Sequence, residues 1–301
     1  MEDRAGVPDA AKQAILAWFD VRGRRLAFRR TTDPYAVLVS ETMAQQTQAA
    51  RAAVRWERFM TRFPTVGSLA AATPADVLRE WQGLGYDRRG LALWRAAVII
   101  RDDHGGRVPD SIEALEALPG VGPYTARALM AIAYGRAVGA VDVNVRRVLG
   151  RLVSGAADAL PARALQAVAD RAVPADRAAA WTHALMDLGA TVCRPRAPRC
   201  DHCPVRVWCR YVAIGNATTP PVARHWGPRR PFPTTNRWLR GRILDRLRAA
   251  PDHAWVELDA AIGTHDLQRV RAAAMAMAGD GLVELDEPSS SDTIRARLAT
   301  A

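Results

Sequence analysis

Apolar residues recur at three- and four-residue spacing along 9–22, 34–60, 68–81, 88–103, 111–118, 123–134, 143–153, 161–171 and 176–190. That period puts them on one face of a helix, so each segment predicts an amphipathic α-helix. Pro- and Gly-bearing punctuation separates many of them, as at Phe63-Pro64-Thr65 and Gly105-Gly106. Strand-like alternation is scarce, and an all-α core follows. Beyond Cys209 the texture changes. Residues 216–236 hold five prolines among arginines and read as a linker. Residues 237–301 form a small C-terminal unit with a helix near 237–249, an apolar stretch at 254–262, a helix near 264–279 and a short strand at 281–285. That order is winged-helix-like. Arg237, Arg240 and Arg242 would face duplex DNA if the unit binds it, and a packing cap is the alternative. The Ser-rich tail from Pro288 is expected to be loose.

Charge narrows the partner. The 301 residues carry a net charge of +11. That excess favours a polyanion, nucleic acid first, with a generic basic surface as the alternative. No apolar run approaches the roughly 20 residues of a membrane span, and the N-terminus lacks the layout of an export signal. The expectation is a cytoplasmic, nucleoid-associated protein with no membrane partner. Lys12 is the only lysine, which leaves almost no amine for Schiff-base chemistry.

All four cysteines, Cys193, Cys200, Cys203 and Cys209, fall within seventeen positions. Thiolates gathered in one loop suit a metal centre, and a [4Fe–4S] cluster in particular. Only Cys200–Cys203 has the C-x-x-C spacing of a zinc knuckle. Zinc and disulfides remain the alternatives. A second motif, Leu118-Pro119-Gly120-Val121-Gly122, lies between two helical segments, and Pro123 suits the first turn of the next helix. Two glycines permit a turn through positive φ. Amides exposed at a helix N-terminus bind phosphate without reading bases.

Here a resemblance becomes specific. Leu118–Tyr124 resembles the hairpin of the helix-hairpin-helix DNA glycosylase superfamily. Val141–Val148 is similar to its catalytic aspartate segment, and the cysteine spacing to the cluster loop of its endonuclease III and MutY branches. Ser40–Gln48 and Gly83–Tyr86 resemble MutY. The resemblance covers about residues 10–215 and implies a two-lobed core. Residues 1–30 and 135–215 would form the cluster lobe, and 31–134 a helical lobe with the helix-hairpin-helix at 111–134.

The resemblance implies roles. Asp142 would stabilise an oxocarbenium-like sugar, although capping the helix at 143–153 is the ordinary use of such a residue. Glu41 shares an apolar stripe with Val37, Leu38 and Ala44, so burial should raise its pKa and let it protonate a leaving base; a surface Glu at the stripe's edge is the alternative. Tyr124 stands where bifunctional relatives carry a Schiff-base lysine, and it would orient Asp142 or the sugar. Asn144 would hold Asp142 in place. Gln46 and Tyr86 match positions that fill the base stack when a nucleotide flips out. Leu118, Gly120, Val121 and Gly122 would grip the DNA backbone, and Arg24, Phe28, Arg29 and His183 would line the base pocket.

The pattern also departs from the family. Ala27-Phe28 replaces the usual Pro-Trp, Ala44 and Ala49 replace larger aliphatics, His183 stands where Gln or Glu is common, and Asp87 replaces a second aromatic after Tyr86. These changes are expected to alter the base pocket. Residues 237–301 are too short for a Nudix-like domain. The implied protein is a monomeric, monofunctional glycosylase with a [4Fe–4S] cluster. It would act on double-stranded DNA with mismatched or oxidised base pairs and remove adenine opposite 8-oxoguanine or guanine. A thymine/uracil mismatch glycosylase and a non-catalytic iron–sulfur DNA-binding protein are the alternatives.

Overall fold

The computed structural model describes residues 6–215, 231–286 and 294–300. Helices α1 (Asp9–Arg22), α2 (Pro34–Ala44), α3 (Ala49–Arg62), α4 (Val66–Ala70), α5 (Pro74–Glu80) and α6 (Arg88–Asp103) precede α7 (Ile112–Glu116), α8 (Pro123–Ile132), α9 (Val143–Ser154), α10 (Ala162–Ala172), α11 (Ala178–Thr191) and α12 (Arg210–Ala213). Then α13 (Asn236–Ala249) and α14 (Leu267–Gly279) accompany strands β1 (Val256–Glu257), β2 (Val283–Asp286) and β3 (Arg295–Leu298). Among the described residues no helix is long and apolar enough to cross a membrane.

Two predicted helices are each split, for local reasons. The 34–60 segment breaks between α2 and α3, where Gln46 adopts φ 53°. The carbonyls of Thr42, Met43 and Gln45 accept from the Arg89 guanidinium, so the last turn of α2 finds its partners outside the helix. The 68–81 segment divides at Thr73, which forms a capping box with Asp76 ahead of Pro74.

The chain divides into two compact units, Met1–Glu41 with Val108–Ala223, and Thr42–Arg107 with Arg224–Ala301. The first unit's core gathers Ile15, Leu149, Leu165, Trp181 and Leu188 from α1, α9, α10 and α11. Because α8 packs on α11, the hairpin between α7 and α8 groups with the cysteine loop and not with α3–α6. The second unit's core joins Leu78 and Leu91 of α5 and α6 to Leu239, Ile243, Val270 and Met277 of α13 and α14. The C-terminal helices thus share a core with α5 and α6. Of the expected linker, residues 216–230 lie outside the described residues, and Phe232–Thr234 is a single 3₁₀ turn before α13.

The tail expected to be loose contains β3. It is the central strand of the antiparallel order β1-β3-β2. Its residues Arg295-Ala296-Arg297-Leu298 alternate, with Ala296 and Leu298 buried, and this period of two is what a strand with one covered face requires. Residues 287–293 lie outside the described residues.

Candidate active site and cysteine loop

Glu41 lies on α2 with Val37 and Leu38 one turn earlier, and all three are buried. Burial pushes its carboxyl up to about 7, against the opposing effects of the Tyr124 hydrogen bond and the Arg29 charge; Asp142 adds to the rise. The Tyr124 hydroxyl, at the start of α8, donates to Glu41 Oε2 at 2.9 Å and lies 3.7 Å from Met186 Sδ. Burial, then the neighbouring Glu41 and Asp142 charges, raise the phenol's pKa well above its ordinary value. Tyr124 therefore serves as a donor.

Asp142 caps α9. Its Oδ1 accepts from the amides of Asn144 (2.8 Å) and Val145 (2.7 Å), and its Oδ2 accepts from Asn144 Nδ2 (2.8 Å). Capping and a catalytic placement are therefore compatible, because the cap fixes the carboxylate. Asn144 is itself held by Arg147, which donates to Asn144 Oδ1 (2.8 Å) and to the carbonyls of Gly189 (2.7 Å) and Cys193 (2.7 Å). Gly189 on α11 makes room for this arrangement, since a Cβ there would lie 2.6 Å from Asn144 Cβ.

Asp187, on α11, is fully buried and organises the arginines. Arg24 donates to it from its amide (2.7 Å) and Nε (2.7 Å), and Arg29 from both terminal nitrogens (2.9 and 2.8 Å). Burial alone would push the Asp187 carboxyl up, but Arg29 and Arg24 outweigh it and hold the group below the usual carboxylate range. A cleft of about 620 Å³ lies here, lined by Phe19, Arg24, Leu26, Arg29, Thr31 and His183 among others. Burial, then Arg29, lowers His183 to about 3. The imidazole is therefore neutral, and its buried Nδ1 has no hydrogen-bond partner among the described residues. Phe28 is buried and, like Glu41, lies outside the lining; Arg29 acts on both Glu41 and His183. Sequence reasoning missed Asp187, Met186, Arg147 and Gly189. The signal for Asp187 was an acid one helical turn after His183 on an apolar helix, with an arginine-rich stretch at 22–30 to pair with.

In the hairpin, Leu118 and Val121 are buried anchors and Gly120 is exposed. Only Gly120 uses positive φ (80°); Gly122 is extended and precedes Pro123 at the start of α8. Gln46 and Tyr86 belong to the second unit, where both adopt positive φ and Arg89 ties their loops together. Asp87 there pairs with Arg248 of α13. The Asp87 side chain is thereby engaged in the packing of α13.

The four cysteines carry no disulfide and line one small cavity with Arg151, Val192 and Tyr211. Burial raises the thiols of Cys200 and Cys209, and that of Cys203 to about 12. Arg151 approaches Cys193 Sγ at 3.5 Å. Among the described residues no group of three or more His, Cys, Asp or Glu side chains is arranged for a single metal ion.

The fold is that of a helix-hairpin-helix base-excision repair enzyme: residues 39–172 match the HhH-GPD superfamily of base excision DNA repair proteins. The adenine DNA glycosylase of Mycobacterium tuberculosis is 45% identical over 265 residues, 86% of this chain and 85% of that one. The human adenine DNA glycosylase is 40% identical over 213 residues, 67% of this chain and 39% of the human one. A thermostable thymine-DNA glycosylase of solved structure matches with TM-score 0.64 and 29% identity, over 67% of this chain and 95% of that one. The chain belongs to the adenine DNA glycosylase family.

Proposed function

We propose that this DNA glycosylase flips adenine out of duplex DNA where it is mispaired with 8-oxoguanine or guanine, and hydrolyses the N-glycosidic bond. The observation that carries this is Glu41, whose carboxyl is pushed up to about 7 by burial and is oriented by Tyr124. A carboxyl protonated near neutral pH can pass its proton to a ring nitrogen of the departing purine, a contribution of about 10²–10⁴-fold. Asp142, fixed by two amides and Asn144, offers its carboxylate to the oxocarbenium-like sugar. Glu41, having given up its proton, then accepts one from the attacking water. Lys12 is paired with Asp9 on α1 at 3.0 Å and no other lysine exists. The reaction is therefore monofunctional, and water alone completes it.

The cysteine donor set fits a [4Fe–4S] cluster: four free thiols face one apolar cavity, and Arg151 offsets thiolate charge. Cys193, Cys200, Cys203 and Cys209 would hold it. Such a cluster would supply a cross-link for the 193–209 loop. We read the small unit of α13, α14 and the three strands as winged-helix-like; its order of helix, strand, helix and two strands supports that reading.

The test is incubation of purified protein with A:8-oxoguanine, A:G, T:G and U:G duplexes, followed by hot alkali. Breaks in the adenine strand of the first two are expected. Breaks confined to thymine or uracil strands would replace this proposal with the pyrimidine one, which the thymine-DNA glycosylase likeness and the neutral His183 would then favour.

A further inference from the structure

Arg89 binds two loops at once. One terminal nitrogen donates to the carbonyls of Thr42 (2.9 Å), Met43 (3.3 Å) and Gln45. The other donates to the Thr47 hydroxyl (3.1 Å) and the carbonyls of Leu84 (3.3 Å) and Gly85 (2.9 Å). Each loop holds a non-glycine residue in the left-handed region, Gln46 at φ 53° and Tyr86 at φ 50°. Such conformations cost on the order of 1–3 kcal/mol each and persist only where surroundings enforce them. Both side chains are exposed, Tyr86 at 43%. An aromatic held out of a stiffened turn on a DNA glycosylase is suited to enter a base stack.

The C-terminal helices reach the same turn. Arg248 of α13 pairs with Asp87 and donates to the Leu78 carbonyl at 2.9 Å, with the Arg248 and Asp87 side chains only 7% and 16% exposed. Arg88 pairs with Asp280 at 3.2 Å, and Arg79 with Asp252 at 2.8 Å. Arg237, in the first turn of α13, lays its guanidinium over the Tyr86 ring, 4.2 Å from the centroid, and donates to the phenol oxygen at 3.0 Å. Its neighbours Arg240 and Arg242 are engaged by Asp280 and Asp245. Among the described residues no carboxylate pairs with Arg237, and it is exposed.

We propose that the C-terminal unit is part of the DNA interface, with Arg237 binding a backbone phosphate beside the point where Tyr86 enters the base stack. This rests on the DNA glycosylase function above. In the free protein the guanidinium occupies the face of the ring. When a base takes that face, Arg237 exchanges the ring contact and the phenol hydrogen bond for the nearest phosphate, and gives up no ion pair. The planar fork of Arg suits both positions.

The test uses the full chain and a labelled duplex carrying uncleavable 2′-fluoroadenosine opposite 8-oxoguanine, titrated at salt from about 50 to about 200 mM. Arg237→Ala should weaken binding about tenfold and reduce the slope of log K against log salt by about one. Its thermal midpoint should match the wild type, because Arg237 is exposed. Arg237→Lys should restore the slope. An Arg237→Ala protein that binds within about twofold of wild type with the same slope overturns the proposal. So does weaker binding with an unchanged slope, which would confine Arg237 to shaping Tyr86. Base release by the wild type on the mismatch panel tests the substrate separately, so the wrong base there would leave the phosphate contact standing.

Discussion

Glu41→Gln should slow base release by orders of magnitude and, above neutral pH, stabilise the protein. Burial moves the Glu41 carboxyl from its ordinary 4.5 to about 7. At about 1.4 kcal/mol per pH unit, that difference corresponds to roughly 3 kcal/mol. Between those two values the folded chain holds a proton that the unfolded chain has released. Raising pH through this window therefore favours unfolding. The protonated acid's contribution is fully present below 4.5 and is lost by about 7, above which the folded state bears the full cost of a buried carboxylate. Glutamine has the same shape, still accepts from Tyr124, and never ionises. The stability gap between variant and wild type should therefore widen by about 2 kcal/mol from about pH 5.5 to about pH 8. At about 2–4 °C per kcal/mol for a chain of this size, thermal midpoints should diverge by roughly 4–8 °C. Scanning fluorimetry at matched ionic strength and scan rate measures this. Single-turnover release from an A:8-oxoguanine duplex should fall by about 10²–10⁴-fold in the variant. In the wild type it should fall about tenfold per pH unit above about 7. A gap that stays constant across this range would refute the claim that Glu41 is held as a buried acid. A variant less stable than wild type at pH about 8 would do the same.

Gly189→Ala places a Cβ 2.6 Å from Asn144 Cβ, which displaces the start of α9 and with it Asp142. Since displacements near 1 Å can cost about 10²-fold in rate, single-turnover release should drop at saturating DNA while duplex affinity stays near wild type; unchanged release would remove Gly189 from this role. Cys203→Ser should lower the bound iron and sulfide and the absorbance near roughly 400 nm expected of a cluster. Zinc in the wild type, measured by metal analysis, would exclude the cluster. Borohydride should trap no covalent DNA adduct with wild-type protein or with Lys12→Arg, and an adduct in either would show that an amine, not water, attacks the sugar.

The helical period defines α1 and α6 to the residue because each is a continuous amphipathic segment with its stop in the local sequence. It fails at Gln45–Gln48 because the group that ends α2 is the guanidinium of Arg89, more than forty residues away. The same limit hides much of the candidate site. Glu41 is visible as an acid in an apolar stripe, and Asp142 as a cap three residues ahead of Val145. Asp187 and Arg147 gain meaning only when α11 is laid against Arg24, Arg29 and Asn144. The missed strand β3 was legible in principle, since Arg-Ala-Arg-Leu alternates, but four residues after a Ser-rich run carry too little signal without partners to pair with.

Arg147 shows why the cysteine loop and the aspartate cannot be treated as separate features. A guanidinium with most of its surface buried must satisfy its donors, and this one does so on three elements: the Cys193 carbonyl, the Gly189 carbonyl of α11 and the Asn144 side chain. Asn144 then holds the Asp142 oxygen that the helix amides leave free. A cross-link across residues 193–209 would fix the first of these acceptors, and an arginine has few ways to keep the other two if the first moves. The loop therefore bears on the proposed reaction through the position of Asp142.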